Sequence, residues 1–296
     1  MSSLAVVAHR GKSVGGGLAE LREVLARAGH PDPLWYEVPK SRKAPKAVAK
    51  AIEKGADLIV VWGGDGTVQR CVDAVVDAGA GRHVQLAIVP AGTANLLAAN
   101  LSLPDDIEGA VRVALAGTSR SLDVGTVEGE GFVVMAGTGF DALMIRDADR
   151  GTKDRLGRLA YVWTGAKNLR NSEVPVRVTV DGERWFEGTA SCVLAANVGT
   201  VLGGIEAFPQ AEPDDGMLEV GLVRARTRWQ WMRVLARTVL GQAARSPLVE
   251  VTRGSEIRIE LDKKMPYQLD GGDRDPTDEL RIEVKPRAVR IAVPSP

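Results

Sequence analysis

The stretch Leu58-Ile59-Val60-Val61-Trp62-Gly63-Gly64-Asp65-Gly66-Thr67-Val68-Gln69-Arg70-Cys71-Val72 passes from an unbroken apolar run, through three glycines, into apolar residues at three and four spacing. A short run without polar interruption reads as a strand buried on both faces, and the periodicity after it reads as a helix. Together they form half of a parallel βαβ unit, and the same alternation extends on both sides. Residues 4–8, 34–38 and 86–89 read as further strands, and residues 18–28, 46–54 and 68–78 as helices, with Gly29 and Gly79 as helix stops.

From Leu122 the period changes. Residues 122–127 and 132–135 read as strands with no helix between them. Val174, Val176, Val178 and Val180 alternate with polar residues or proline, and Asp181-Gly182 offers a hairpin turn before Trp185 and Phe186. Ile257, Ile259 and Leu261, then Leu280, Ile282 and Val284, repeat the alternation. This half reads as an antiparallel sandwich or barrel, interrupted by helices near residues 156–169 and 229–242. A length of 296 residues suits two such domains, the first over residues 1–121 and the second over residues 122–286.

Thirty-eight basic residues balance thirty-eight acidic ones, which argues against a nucleic-acid partner. Two cysteines, Cys71 and Cys192, supply neither a disulfide framework nor a metal quartet and suit a reducing, cytoplasmic setting. No apolar window reaches the length of a signal-peptide core or a spanning helix, so any membrane contact is expected from outside. Thirty-three glycines, about 11% of the chain against a usual 7%, call for explanation by position.

Glycines at 63, 64 and 66 let the backbone turn sharply before a helix whose free N–H groups attract phosphate. Asp65 would repel bare phosphate, so it is expected to serve a Mg²⁺ ion directly or through water; the plainer reading is a helix cap. A second loop, Pro90-Ala91-Gly92-Thr93-Ala94-Asn95, follows the next strand, which would put both loops on one edge of the sheet, where open α/β folds bind ligands. Gly11-Lys12-Ser13 imitates the end of a Walker A loop, but Val6 stands where the leading glycine belongs.

These loops, with Gly137-Thr138-Gly139-Phe140-Asp141-Ala142, Pro213-Asp214-Asp215-Gly216-Met217-Leu218 and Leu269-Asp270-Gly271, resemble in order the motifs of the diacylglycerol kinase catalytic-domain family, in its bacterial branch. The resemblance implies an N-terminal α/β nucleotide-binding lobe like that of NAD kinase and phosphofructokinase. It also implies a C-terminal antiparallel β-sandwich lobe, an ATP and lipid cleft between the two, and a C-terminal tail, about residues 287–296, returning to the first lobe. The implied activity is an ATP- and Mg²⁺-dependent lipid kinase that phosphorylates diacylglycerol. A sphingoid-base kinase and a non-catalytic nucleotide- or lipid-binding protein are the alternatives.

Carried over by position, Gly63, Gly64, Asp65, Gly66, Thr67, Gly92, Thr93 and Asn95 would hold ATP and its Mg²⁺, and Arg10 and Gly11 are expected to join them from an N-terminal loop that departs from the family's Asn-Pro pattern. Asp215, with backbone groups near Glu212 and Met217, would hold a structural Mg²⁺. The family's acid–base triplet is Asp-Gly-Glu, whereas this chain reads Asp270-Gly271-Gly272-Asp273, leaving Asp270 and Asp273 both open as the base. Gln69, Arg70 and Leu96 also depart from the family pattern. Between positions 224 and 249 lie six arginines and no acid, with Trp229 and Trp231, as in helices that lie on anionic bilayers. That pattern fits either a peripheral membrane helix or one packing its tryptophans on the sandwich. The expected partners are ATP, a lipid at the membrane surface, and a second copy of the chain as a homodimer.

Overall fold

The structure, a computed structural model, describes residues 3–139, 173–201, 205–239 and 241–295. The chain divides into two compact units, Met1–Val124 with Pro286–Pro296, and Gly125–Lys285.

In the first unit β1 (Leu4–His9), α1 (Gly17–Arg27), β2 (Leu34–Val38), α2 (Ala44–Glu53), β3 (Leu58–Gly63), α3 (Asp65–Asp77) and β4 (Gln85–Pro90) alternate, followed by α4 (Leu96–Asn100) and α5 (Ile107–Ala116). The four strands are parallel in the order β4–β3–β1–β2, with Leu58 beside Gln85 and Leu4 beside Leu58. The apolar runs of β1, β3 and β4 are explained by cover on both sides. Leu4, Val6, Ala8, Val60 and Trp62 pack against Leu21 and Leu25 of α1 and Val111 of α5, while α2 and α3 lie against β1, β2 and β3. Gly29 and Gly79, at φ +90° and +63°, end α1 and α3 in the left-handed conformation that side chains resist.

The second unit follows β5 (Thr118–Val127), in which the boundary falls. It holds β6 (Glu130–Phe132), β7 (Met135–Gly139), β8 (Val174–Val180), β9 (Glu183–Ala190), β10 (Cys192–Ala196), β11 (Thr200–Val201), β12 (Ile205–Glu206), β13 (Leu218–Val223), α6 (Arg228–Val239), β14 (Val249–Gly254) and β15 (Glu256–Leu269). Antiparallel pairing runs β9–β8–β15–β7–β10–β13–β14, and one apolar core of this unit gathers Phe132, Val178, Leu218, Ile259 and Ile282. Asp181 and Gly182 both take positive φ, as the expected two-residue hairpin requires.

The last strand, β16 (Gly272–Val293), serves both units. Its start pairs with β15, and Arg290 and Ile291 near its end pair in parallel with Gln85 and Leu86 of β4. This contact is backbone against backbone: a Cβ on Gly81 would lie 1.9 Å from the Ala288 carbonyl oxygen.

Two expectations change in detail. The strand expected over residues 132–135 is broken, with β6 ending at Phe132 and β7 starting at Met135, because a carboxylate rather than a neighbouring strand takes the N–H groups of Val133 and Val134. The helix expected over residues 156–169 and the Phe140-Asp141-Ala142 part of one motif lie outside the described residues.

Candidate active-site loops and their surroundings

The two glycine loops leave the carboxyl ends of adjacent parallel strands, with Gly63 paired to Pro90. They touch through bare backbone: a Cβ on Gly64 would lie 2.9 Å from the Gly92 Cα, and one on Gly92 2.5 Å from the Gly64 Cα. Only glycine at both positions permits this approach. Asn95 fixes the second loop by accepting from the Gly92 N–H at 2.9 Å and donating to the Gly92 carbonyl at 3.0 Å. Its own φ of +47° is one that asparagine tolerates better than most residues.

Asp65 joins the loops. Its Oδ1 accepts from the Leu97 N–H at 3.2 Å, and the N–H groups of Asn95 and Leu96 also face the carboxylate, so it caps α4 from the other loop. Burial raises its pKa above the ordinary carboxylate value, and these N–H groups oppose the rise. Thr67, 1% exposed, shares a 2.9 Å hydrogen bond with Ser41 Oγ and ties α3 to the segment before α2. Ser41 carries no sequence signal that would single it out. Gly66, Thr93 and Ala94 form the exposed rim. Arg10 and Gly11 are exposed in the loop after β1, which is held by Arg10 N–H to the Val38 carbonyl at 2.9 Å, Gly11 N–H to His9 Nδ1 at 3.1 Å, and Trp62 Nε1–H to the Lys12 carbonyl at 3.1 Å. Three loops at one sheet edge thus offer backbone donors and an arginine, a set suited to a polyphosphate.

Asp270 and Asp273 occupy different environments. Asp270 and Gly271 turn the β15–β16 hairpin with φ of +45° and +79°. The Asp270 carboxylate, 5% exposed, accepts from the N–H groups of Val133 at 2.8 Å, Val134 at 2.8 Å and Met135 at 3.0 Å. Three of its lone-pair directions are thereby filled. Asp273 is exposed, and its carboxylate has no hydrogen bond or ion pair among the described residues. Beside it Arg274 grips Glu130 with two N–H groups, Nε at 2.8 Å, which anchors the start of β16 to β6.

Asp215 is held by Arg253, whose Nη2 donates to Oδ2, while Oδ1 accepts from the Met217 N–H at 3.0 Å. Glu212 is exposed. A divalent cation needs about six oxygen ligands and would sit against the guanidinium, so this donor set does not fit the structural Mg²⁺ that the resemblance implies. No group of three metal-capable side chains occurs among the described residues.

The two tryptophans of α6 part company. Trp231 is 4% exposed and packs with Val234 on Cys192 and Ala225, whereas Trp229 is 75% exposed. Arg233 is exposed and without an ion pair among the described residues, Arg226 pairs with Glu173, and Arg237 donates to the Arg245 carbonyl at 2.6 Å. Among the described residues no helix is long and apolar enough to cross a membrane.

One chain thus carries a parallel α/β unit with glycine loops at one sheet edge and an antiparallel sheet with its own core. Residues 10–127 match the diacylglycerol kinase catalytic domain, and residues 133–293 match the YegS C-terminal NAD kinase beta sandwich-like domain. The chain is 31% identical to the "probable lipid kinase YegS-like" protein of Chromohalobacter salexigens, over 94% of this chain and 89% of that protein. It is 27% identical to a diacylglycerol kinase of Bacillus subtilis, over 86% and 83% of the two chains. A crystal structure of a diacylglycerol kinase from Bacillus anthracis shares the fold at a TM-score of 0.77 and 21% identity, covering 99% of this chain and 97% of that one. The chain therefore belongs to the diacylglycerol kinase and YegS family of lipid kinases, phosphotransferases that use ATP.

Proposed function

We propose that this lipid kinase transfers the γ-phosphoryl group of MgATP to the free hydroxyl of diacylglycerol, giving phosphatidic acid and ADP. The observation that carries the reading is the backbone-to-backbone clasp of Gly64 on Gly92, which aligns two donor-rich loops at one sheet edge. In this reading the loops of residues 63–67 and 92–95, with Arg10 and Gly11, orient the phosphate chain, and Thr93 reaches it from the exposed rim. Mg²⁺ arrives with ATP as part of the substrate and neutralises charge that develops between the β- and γ-phosphates. Asp65 holds the two loops together and lends negative charge to the metal's surroundings.

The lipid hydroxyl oxygen attacks phosphorus, the bond to the β–γ bridging oxygen breaks, and the hydroxyl proton passes to a carboxylate. We assign that role to Asp273 and a positioning role to Asp270. The free oxygens of Asp273 support the first assignment, and the three N–H bonds on Asp270 support the second. Docking to an anionic bilayer from outside is assigned to α6, where Trp229 stands exposed one turn before Arg233.

The test is transfer of labelled γ-phosphate from MgATP to diacylglycerols, sphingoid bases and NAD in mixed vesicles. Label in phosphatidic acid is expected. Label confined to a sphingoid base would replace the substrate assignment, and ATP binding without transfer to any acceptor would overturn the reaction.

A further inference from the structure

The resemblance implies a structural Mg²⁺ at the turn that leads into β13, and here a side chain supplies the cation. We propose that the guanidinium of Arg253 is a built-in counter-ion that replaces a structural divalent metal and makes the second unit metal-independent. Three observations carry the inference. Arg253 donates through Nη2 to Asp215 Oδ2. Its Cα stands directly across the antiparallel ladder from Glu219, a carboxylate 2% exposed, so one arginine faces two acids from β14. Backbone holds one oxygen of each acid: Met217 N–H donates to Asp215 Oδ1 at 3.0 Å and Gln210 N–H to Glu219 Oε2 at 2.8 Å.

The substitution makes chemical sense. A divalent ion in such a turn does two jobs: it neutralises carboxylates, and it ties the turn to the neighbouring strand. Arginine does both with a fixed charge that no change of pH near neutrality removes, and its planar fork suits carboxylates. Arginine and metal exclude each other, because a dication beside Asp215 would sit against a full positive charge in a partly buried place. Removing the guanidinium would leave Asp215 and Glu219 uncompensated and so create the acidic pair that a divalent ion seeks. A functional corollary rests on the proposed reaction: the only Mg²⁺ such a kinase needs is the one that travels with ATP. The test below does not use activity, so it stands or falls apart from that reaction.

Thermal unfolding of the full chain without nucleotide is compared in EDTA and in millimolar Mg²⁺, Mn²⁺ or Ca²⁺, for wild type, Arg253→Gln and Asp215→Asn. Wild type is expected to unfold at one temperature in all four solutions. Arg253→Gln is expected to lose roughly 5 °C or more in EDTA, as breaking a partly buried ion pair does, and to recover part of it with a saturable dependence on the metal. Asp215→Asn should lose stability equally with and without metal. Manganese binding to the wild type is read separately by the magnetic resonance of the free ion, so the proposal stays testable if Arg253→Gln fails to fold. A wild-type midpoint that falls in EDTA and returns with metal would overturn the proposal. So would a bound Mn²⁺ that Asp215→Asn abolishes, or an Arg253→Gln protein as stable in EDTA as the wild type.

Discussion

Asp65 is pulled two ways: burial disfavours its charge, and the α4 N–H groups favour it. Burial prevails, so the folded-state pKa stands above the unfolded value of 3.8. Between those two values the folded chain holds a proton that the unfolded chain has released, so stability falls as pH rises through this window. Asp65→Asn lacks that titration. The unfolding free energy of wild type minus that of the variant should therefore decline on raising pH from about 4, and a difference that grows would reverse the sign of the shift. The amide offers one oxygen where the carboxylate offered two, so the loops lose register and phosphotransfer should fall by about 10²-fold or more, the scale of a misplaced reacting group. Asp270 and Asp273 are separable in the same way. Asp270→Asn turns an NH₂ group toward backbone donors and should cost about 1–3 kcal/mol in a urea melt. Asp273→Asn should leave the melt within about 0.5 kcal/mol of wild type, yet lower kcat by about 10²- to 10⁴-fold at unchanged apparent ATP affinity. An Asp273→Asn enzyme of normal turnover would remove the base from this hairpin.

The clasp between the first two glycine loops makes its own prediction. Gly92→Ala places a methyl 2.5 Å from the Gly64 Cα, with backbone rather than a flexible side chain to displace. The expected cost is about 1–3 kcal/mol, with a raised KM for ATP and a lesser change in the KM for lipid; equal changes in both would deny the loop its nucleotide role. Elements whose meaning is local are legible in the sequence. The run from Leu58 to Trp62 declared a buried parallel strand, Gly29 and Gly79 declared helix ends, and Asp181-Gly182 declared a hairpin, each through residues within a few positions. What escaped depends on partners far along the chain. Nothing near Val133 and Val134 says that Asp270, 137 and 136 positions away, will take their N–H groups and break the strand. Trp229 and Trp231 look alike in sequence, and only the sheet beneath α6 buries one and leaves the other bare. For that reason the proposed membrane contact rests on Trp229 with Arg233. Replacing them with alanine and glutamine should weaken co-sedimentation with anionic vesicles, by about fivefold for the arginine alone at about 1 kcal/mol per basic group, and undiminished binding would return α6 to a packing role.

The chain crosses between its two units twice, once within β5 and once within β16, and the second crossing makes the first unit depend on the far end of the sequence. Val289 and Ile291 are fully buried there, Ala292 is 1% exposed, and the strand that carries them pairs with β4, whose neighbour β3 leads into the first glycine loop. Burying a valine and an isoleucine contributes about 1.5–3 kcal/mol each. That sum is a large share of the roughly 5–15 kcal/mol that holds a typical domain together. Val289→Ala with Ile291→Ala in the full chain should therefore loosen a unit whose other residues end at position 124. The expected pattern is selective: amide exchange in β3 and β4 accelerates by about two orders of magnitude or more, while β8, β10 and β13 keep their protection because their core shares none of these side chains. ATP affinity should weaken in step, since the loops after β3 and β4 ride on the strands that have loosened. Uniform acceleration in both units would instead mean that they unfold as one, and unchanged exchange in β3 and β4 would mean that the returning strand is an ornament on a sheet already stable without it.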